Sequence, residues 1–207
     1  KGLSYRERHG LRNVGINKLT NTSTNKIANT NTDDTLNPDK NVSKHSLGLV
    51  FFPAFDWKIS ETHPERQERL LYTRDQIVEE GLLDIPNIKE YNPIVADWDT
   101  IERVHVGAPD LESWVTEAHR VSAGGAIAAA DAVMRGEVDR AFALVRPPGH
   151  HAMAMVHGIR GFCTINIEAV MIQHMRQTYG IKRVAVVDTD VHHGDGSQDV
   201  FYHDPDT

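Results

Sequence analysis

The 207-residue chain has one cysteine, Cys163, so an intrachain disulfide is excluded. It has no basic excess: 22 Lys and Arg stand against 29 Asp and Glu, a net charge of −7. Proteins that bind nucleic acid through its phosphates usually carry the opposite balance, so no direct nucleic-acid partner is expected. Long apolar runs are missing too. None approaches the roughly 18 residues needed to span a bilayer, and no membrane partner is expected. Aromatics make up only 7% of the residues. What remains is a composition with 40% apolar and 25% charged residues, typical of a globular domain with one sizeable core. The scarcity of cysteine fits a reducing compartment, and the cytoplasm is the expected location.

The chain changes character near residue 46. Thr20–Thr35 (TNTSTNKIANTNTDDT) is mostly Asn and Thr and has almost nothing to bury. Such a segment cannot offset the entropy of ordering, so residues 1–46 are expected to be a disordered or loosely attached leader. The domain is expected over 47–207. Leu47–Phe52 (LGLVFF) reads as a first strand. A helix follows His63-Pro64-Glu65-Arg66, with Leu70, Leu71, Ile77 and Val78 at helical spacing. Asn92–Val106 reads as a short strand or loop leading into another element. Ala118–Met134 is an Ala-rich helix that should close at Gly136. Arg140–Val145 and Lys182–Val187 read as near-continuous apolar strands, with a helix over Ile165–Tyr179 between them. Such alternation points to an α/β fold with a parallel sheet covered on both faces. Ligands of these sheets sit at the carboxyl ends of the strands.

Two polar segments follow strand ends directly. The first is Arg146-Pro147-Pro148-Gly149-His150-His151, whose prolines and glycine impose a non-helical turn. Adjacent histidines there could serve a cavity as bases near neutral pH, or they could be an ordinary surface pair. The second is Val184–Asp195 (VAVVDTDVHHGD). In an extended chain Asp188, Asp190 and His192 share one side. Two carboxylates and an imidazole at the tip of a buried strand are costly unless a divalent cation joins them. Asp oxygen and His nitrogen are ordinary zinc ligands. The bland alternative is a solvated loop, and the continuation His-His-Gly-Asp-Gly weighs against it. Seven of the twelve histidines fall between His150 and His203, which suits the metal reading. Phe162 could wall a narrow pocket. Cys163 reads as a small buried thiol more readily than as a nucleophile.

Together RPPGHHA, the GFC-x-x-N run (Gly161, Phe162, Cys163, Asn166) and VDTDVHHGDG-x-Q resemble the histone deacetylase superfamily. His63-Pro64-Glu65-x-x-x-Arg69 is similar to its N-terminal signature, and Val104-His105 to its Val-His element. Thr189, where many eukaryotic members carry an aromatic or leucine, gives the wording a bacterial cast. The resemblance implies the arginase/deacetylase fold, a three-layer α/β sandwich around a parallel sheet. It implies that Asp190 and His192 are two of three zinc ligands. It makes His150 and His151 the tandem catalytic histidines, backed by Asp188 and Asp195. A monovalent-cation site of the K+ type is implied at Asp188. Phe162 would be a wall of an acyl-lysine tunnel, with Gly161 and Cys163 at its floor, and Arg69 the arginine of an acetate channel. The implied reaction is zinc-dependent hydrolysis of an acetyl amide, on acetylated protein lysine or an acetylated small molecule such as a polyamine. The family's third ligand and its oxyanion-binding Tyr lie downstream of the matching region. The chain is therefore expected to be an N-terminal portion of a deacetylase domain, nearly inactive alone. Two other readings compete: an arginase-like two-manganese ureohydrolase, whose motif would be D-x-H-x-D, and an inactive homologue that binds acyl-lysine or polyamine.

Overall fold

The computed structural model describes residues 45–52, 60–107, 114–155 and 158–207. Except for its last two residues, the Asn/Thr-rich leader expected over 1–46 lies outside them. Strand β1 (Leu47–Phe51) is central, between β2 (Ile88–Tyr91) and β3 (Arg140–Leu144). Both pairings are parallel, with Leu47 opposite Ile88 on one side and Arg140 on the other. A strand flanked on both sides must be apolar, and Leu49 and Val50 of β1 are buried. Parallel neighbours need crossovers, and helices supply them. Helix α1 (Glu68–Glu79) lies between β1 and β2 in sequence, with a 3-10 turn at Leu82–Asp84. Helices α2 (Trp98–Glu102) and α3 (Trp114–Met134) lie between β2 and β3.

Helix α3 packs on β1 and β3 and also against helix α4 (Ile167–Tyr179). Its small residues make this possible: Ala118, Ala123, Ala126, Ala129 and Ala132 are all buried. Short side chains let a helix approach a sheet and a second helix at once. The core cluster joins Ala123 and Ile127 of α3 to Ile165, Ile167, Ala169 and Val170 around α4, and to Ala96, Ile101 and Val104 around α2. Among the described residues no helix is long and apolar enough to cross a membrane. The α/β class and the parallel sheet expected from the sequence are present.

Three element readings need correction. Asn92–Val106 holds no strand: the strand comes earlier, at Ile88–Tyr91, and the element after it is the short helix α2, capped by the Asp97 carboxylate accepting the Thr100 N–H at 2.7 Å. Helix α3 begins four residues before Ala118, and helix α4 starts at Ile167 because Asn166 caps it. Lys182–Val187 is not a ladder strand. The sheet order β2-β1-β3 stops at β3, so this apolar stretch has no strand beside it among the described residues. Its Val184 N–H bonds the Asp206 carbonyl (2.9 Å) instead, and Val187 is 83% exposed. β-propensity registers only when a neighbour supplies the ladder.

Candidate active site

The carboxyl end of β3 runs into Arg146, whose guanidinium is buried. It makes a two-pronged bond to Glu65, Nε to Oε1 at 2.9 Å and Nη2 to Oε2 at 2.6 Å. A fork matched to a carboxylate fixes orientation as well as distance. It thus ties the turn that bears the histidine pair to the His63-Pro64-Glu65 segment. Arg69 also reaches Glu65, at 3.3 Å, but keeps 60% of its side chain exposed.

Beyond that turn His150 and His151 stand with ring centroids 4.2 Å apart. Each is held by its own carboxylate. His150 Nδ1 lies 2.8 Å from Asp188 Oδ2, and His151 Nδ1 lies 2.7 Å from Asp195 Oδ1. The bonds to His150 and His151 hold the Asp188 and Asp195 carboxyls below the usual carboxylate range. An ionised carboxylate only accepts, so each Nδ1 carries the proton and each Nε2 is left as a base. Arg160 donates to the other oxygen of Asp195. Nothing in the sequence pattern marks Arg160 for this role, because its partner is 35 residues away.

Asp188, Asp190 and His192 chain together. Asp188 Oδ1 accepts the Asp190 N–H at 2.9 Å, and Asp190 Oδ1 accepts the His192 N–H at 2.8 Å. The His192 bonds, backbone first, keep the Asp190 carboxyl low. Asp190 Oδ1 and His192 Nδ1 are 2.9 Å apart. This contact is a hydrogen bond; to share a tetrahedral zinc with ligands near 2.0–2.1 Å the two atoms would part to about 3.3 Å and Nδ1 would give up its proton. The described residues hold no group of three or more His, Cys, Asp or Glu gathered for a metal. They provide two donors of the right kind.

These groups share one cavity of about 340 Å³, whose lining includes Arg69, His150, His151, Phe162, Asp190 and His192. Gly161 lines it too, at φ +50°, where a Cβ would come within 2.1 Å of the His151 ring. No other residue fits so close to the imidazole. Gly196 has the same function on the far side. It opens helix α5 (Asp195–Phe201) against the backbone of His151 and Ala152, and a Cβ there would stand 2.4 Å from the His151 carbonyl carbon. Close approach is what brings Asp195 to its histidine.

Cys163 is expected at the tunnel floor. It is fully buried behind Gly161 and Phe162 and is not among the lining residues. Burial pushes its thiol from an ordinary 9.0 up to about 12. The folded state therefore holds the proton that the unfolded chain releases above its ordinary value. The resulting stability is complete below that value and fades as pH rises toward the folded one. The folded protein should resist iodoacetamide in mildly alkaline buffer and take up one equivalent once denatured. Intact mass before and after denaturant checks this, and prompt alkylation of the native protein would contradict it.

Two residues of the sequence motifs gain their partners in the fold. His105 is buried, with Nδ1 2.9 Å from the Met153 carbonyl and Nε2 accepting the Asn166 N–H at 3.0 Å. Asn166 Nδ2 in turn donates to the Ala152 carbonyl and to Ser197 Oγ, both at 3.1 Å. The Val-His element and the Asn of the GFC-x-x-N run thus join the histidine turn to α4 and α5.

The histone deacetylase domain family matches residues 110–207. A probable deacetylase of Archaeoglobus fulgidus is 38% identical over 176 residues, covering 76% of this chain and 48% of that protein. The mouse polyamine deacetylase HDAC10 is 33% identical over 172 residues, covering 72% of this chain and 26% of that protein. The crystal structure of the HDA15 HD domain superposes with a TM-score of 0.63 at 28% identity, over 75% of this chain and 50% of that one. The chain therefore spans about half the length of the archaeal relative, or less in the mouse one. By family match, relatives and fold alike, it belongs to the histone deacetylase superfamily.

Proposed function

We propose that the protein hydrolyses an acetyl amide with the help of one zinc ion, and that this chain supplies its acid–base half. One observation carries the reading: two Nδ1-anchored imidazoles open into the same cavity as an Asp–His donor pair. Asp190 and His192 would hold the metal, which when bound polarises the amide carbonyl and makes water a nucleophile near neutral pH. His151 accepts the water proton at Nε2 and returns it to the departing amine nitrogen. Asp195 keeps the required tautomer, and Arg160 keeps Asp195 in place. His150, anchored by Asp188, places a second dipole beside the reacting carbonyl. Phe162 confines the chain of the substrate, and Arg69 offers a cation to the released acetate. A K+ ion at Asp188 would add further support beneath the donors.

The substrate class follows the relatives' names only in outline: an acetylated lysine side chain or an acetylated polyamine, both slender amides on a flexible alkyl chain. The test is acetate release from an acetyl-lysine peptide and from an N-acetylpolyamine by the full-length gene product supplied with zinc. The expected result is turnover that a chelator abolishes and zinc restores. Folded, zinc-loaded protein that releases no acetate from either amide would overturn the proposal.

A further inference from the structure

The strap from Arg160 to Thr164 carries the Phe162 wall. Phe162 has φ +74°, a strained conformation for a residue with a side chain, which persists only where the surroundings hold it. Arg160 and Cys163 exchange backbone bonds of 2.9 and 2.8 Å, which close the strap on itself. They do not fix where it stands. The His63 and Phe162 rings meet edge to face, with centroids 4.4 Å apart. At its start Arg160 is held by Asp195, and at its end an anchor comes from helix α3.

His119 is fully buried in that helix and takes no part in the acid–base chemistry. Its Nδ1 is 2.9 Å from the Val115 carbonyl, one turn earlier. Its Nε2 is 3.0 Å from the Thr164 nitrogen and 3.2 Å from the Phe162 carbonyl. A carbonyl can only accept and a backbone N–H can only donate. The Val115 and Thr164 contacts together therefore require one tautomer, with the proton on Nδ1 and Nε2 accepting from Thr164. Desolvation lowers the basicity of the ring and favours that neutral form. The strap is thus pinned to the longest of the described helices at the residue after Cys163.

We propose that His119 is a positioning residue that sets where the Phe162 wall stands, and so how wide an amide the cavity admits. This rests on reading the cavity as an acyl-amide site. Rigid support matters because misplacement by about 1 Å can cost two orders of magnitude in rate. His119→Asn keeps a donor for Val115 but is too short to reach Thr164. His119→Gln keeps the reach. The full-length protein would carry 4-fluorophenylalanine at position 162, read by fluorine NMR. It would also be assayed on a straight-chain acetyl amide and on a branched acyl amide.

His119→Asn should move the fluorine resonance and change the ratio of kcat/KM between the two amides about tenfold, mainly through KM. His119→Gln should restore both readings to wild type. A wild-type resonance and ratio in His119→Asn, or equal changes in both variants, would overturn the proposal. The resonance decides it even if neither amide is hydrolysed, which separates its failure from failure of the deacetylase reading. Nitrogen NMR of the unmutated imidazole gives a check free of folding effects. The Nδ1–H tautomer is expected, and the Nε2–H tautomer rules the pin out.

Discussion

Replacing His151 by Ala in the full-length protein should lower kcat by about a thousandfold, within the range that positioned general bases supply. The geometry gives the reason. His151 is bonded at Nδ1 to Asp195 (2.7 Å), so its Nε2 is the nitrogen presented to the cavity. His150 has the same construction with Asp188, and its ring centroid is only 4.2 Å away. The two are not equivalent. Asp195 is gripped by Arg160 as well as by His151, whereas Asp188 also accepts the Asp190 N–H and so belongs to the Asp188–Asp190–His192 chain proposed to hold the metal. His151 is thus the imidazole whose carboxylate is held apart from the donor set, which suits a group that must shuttle a proton. Asp195→Asn should reduce kcat by a smaller factor, because an amide can still bond Nδ1 but no longer favours the same tautomer. The double variant should be little worse than His151→Ala alone, since residues acting as one unit do not add. Steady-state acetate release measures all three. A rate for His151→Ala within tenfold of wild type would remove it as the base.

What could be read from the sequence, and what could not, follows from the range of each signal. β1 and β3 were legible because a parallel strand is a short, nearly continuous apolar run, and Leu47–Phe51, buried at its middle, and Arg140–Leu144, at the sheet's edge, are such runs. Lys182–Val187 is written the same way, yet it forms no ladder, and its Val184 N–H bonds the Asp206 carbonyl: a strand is a property of two segments, and an apolar run specifies only one of them. The polar residues divide likewise. His150, His151, Asp188, Asp190 and His192 stand out by local spacing after expected strand ends, Asp195 stands out by the family resemblance, and the structure gathers all six. The partners that hold them are silent in the sequence. Glu65 and Arg146 are 81 residues apart, Arg160 and Asp195 are 35 apart, and His119 and Thr164 are 45 apart. No period links such pairs. Burial decides instead: a charge or imidazole removed from water must find a complement, wherever along the chain that complement lies.

The largest expected effect on stability sits in one of those silent pairs. Glu65 and Arg146 keep only 3% and 2% of their side chains exposed. Two ions withdrawn from water recover their desolvation cost only while both are present and well aligned. Arg146→Met removes one and leaves a buried carboxylate facing Arg69 at 3.3 Å, from a side chain that is itself mostly in solvent. The cost should be about 3–5 kcal/mol, as for other buried pairs broken from one side. Glu65→Leu should cost a similar amount, because it removes the carboxylate that the buried guanidinium grips with two bonds. The double variant Glu65→Leu with Arg146→Met should recover most of the loss, because an apolar pair of similar volume carries no desolvation debt. Activity should not recover with it. The fork is what aligns the His150-His151 turn with the His63-Pro64-Glu65 segment, and Leu against Met has no direction to impose. Denaturant unfolding of the four proteins closes the cycle, and acetate release reads the alignment. Additive losses, with the double variant the least stable of the four, would show that the pair is not coupled. A double variant with full activity would show that its orientation does not matter to the site.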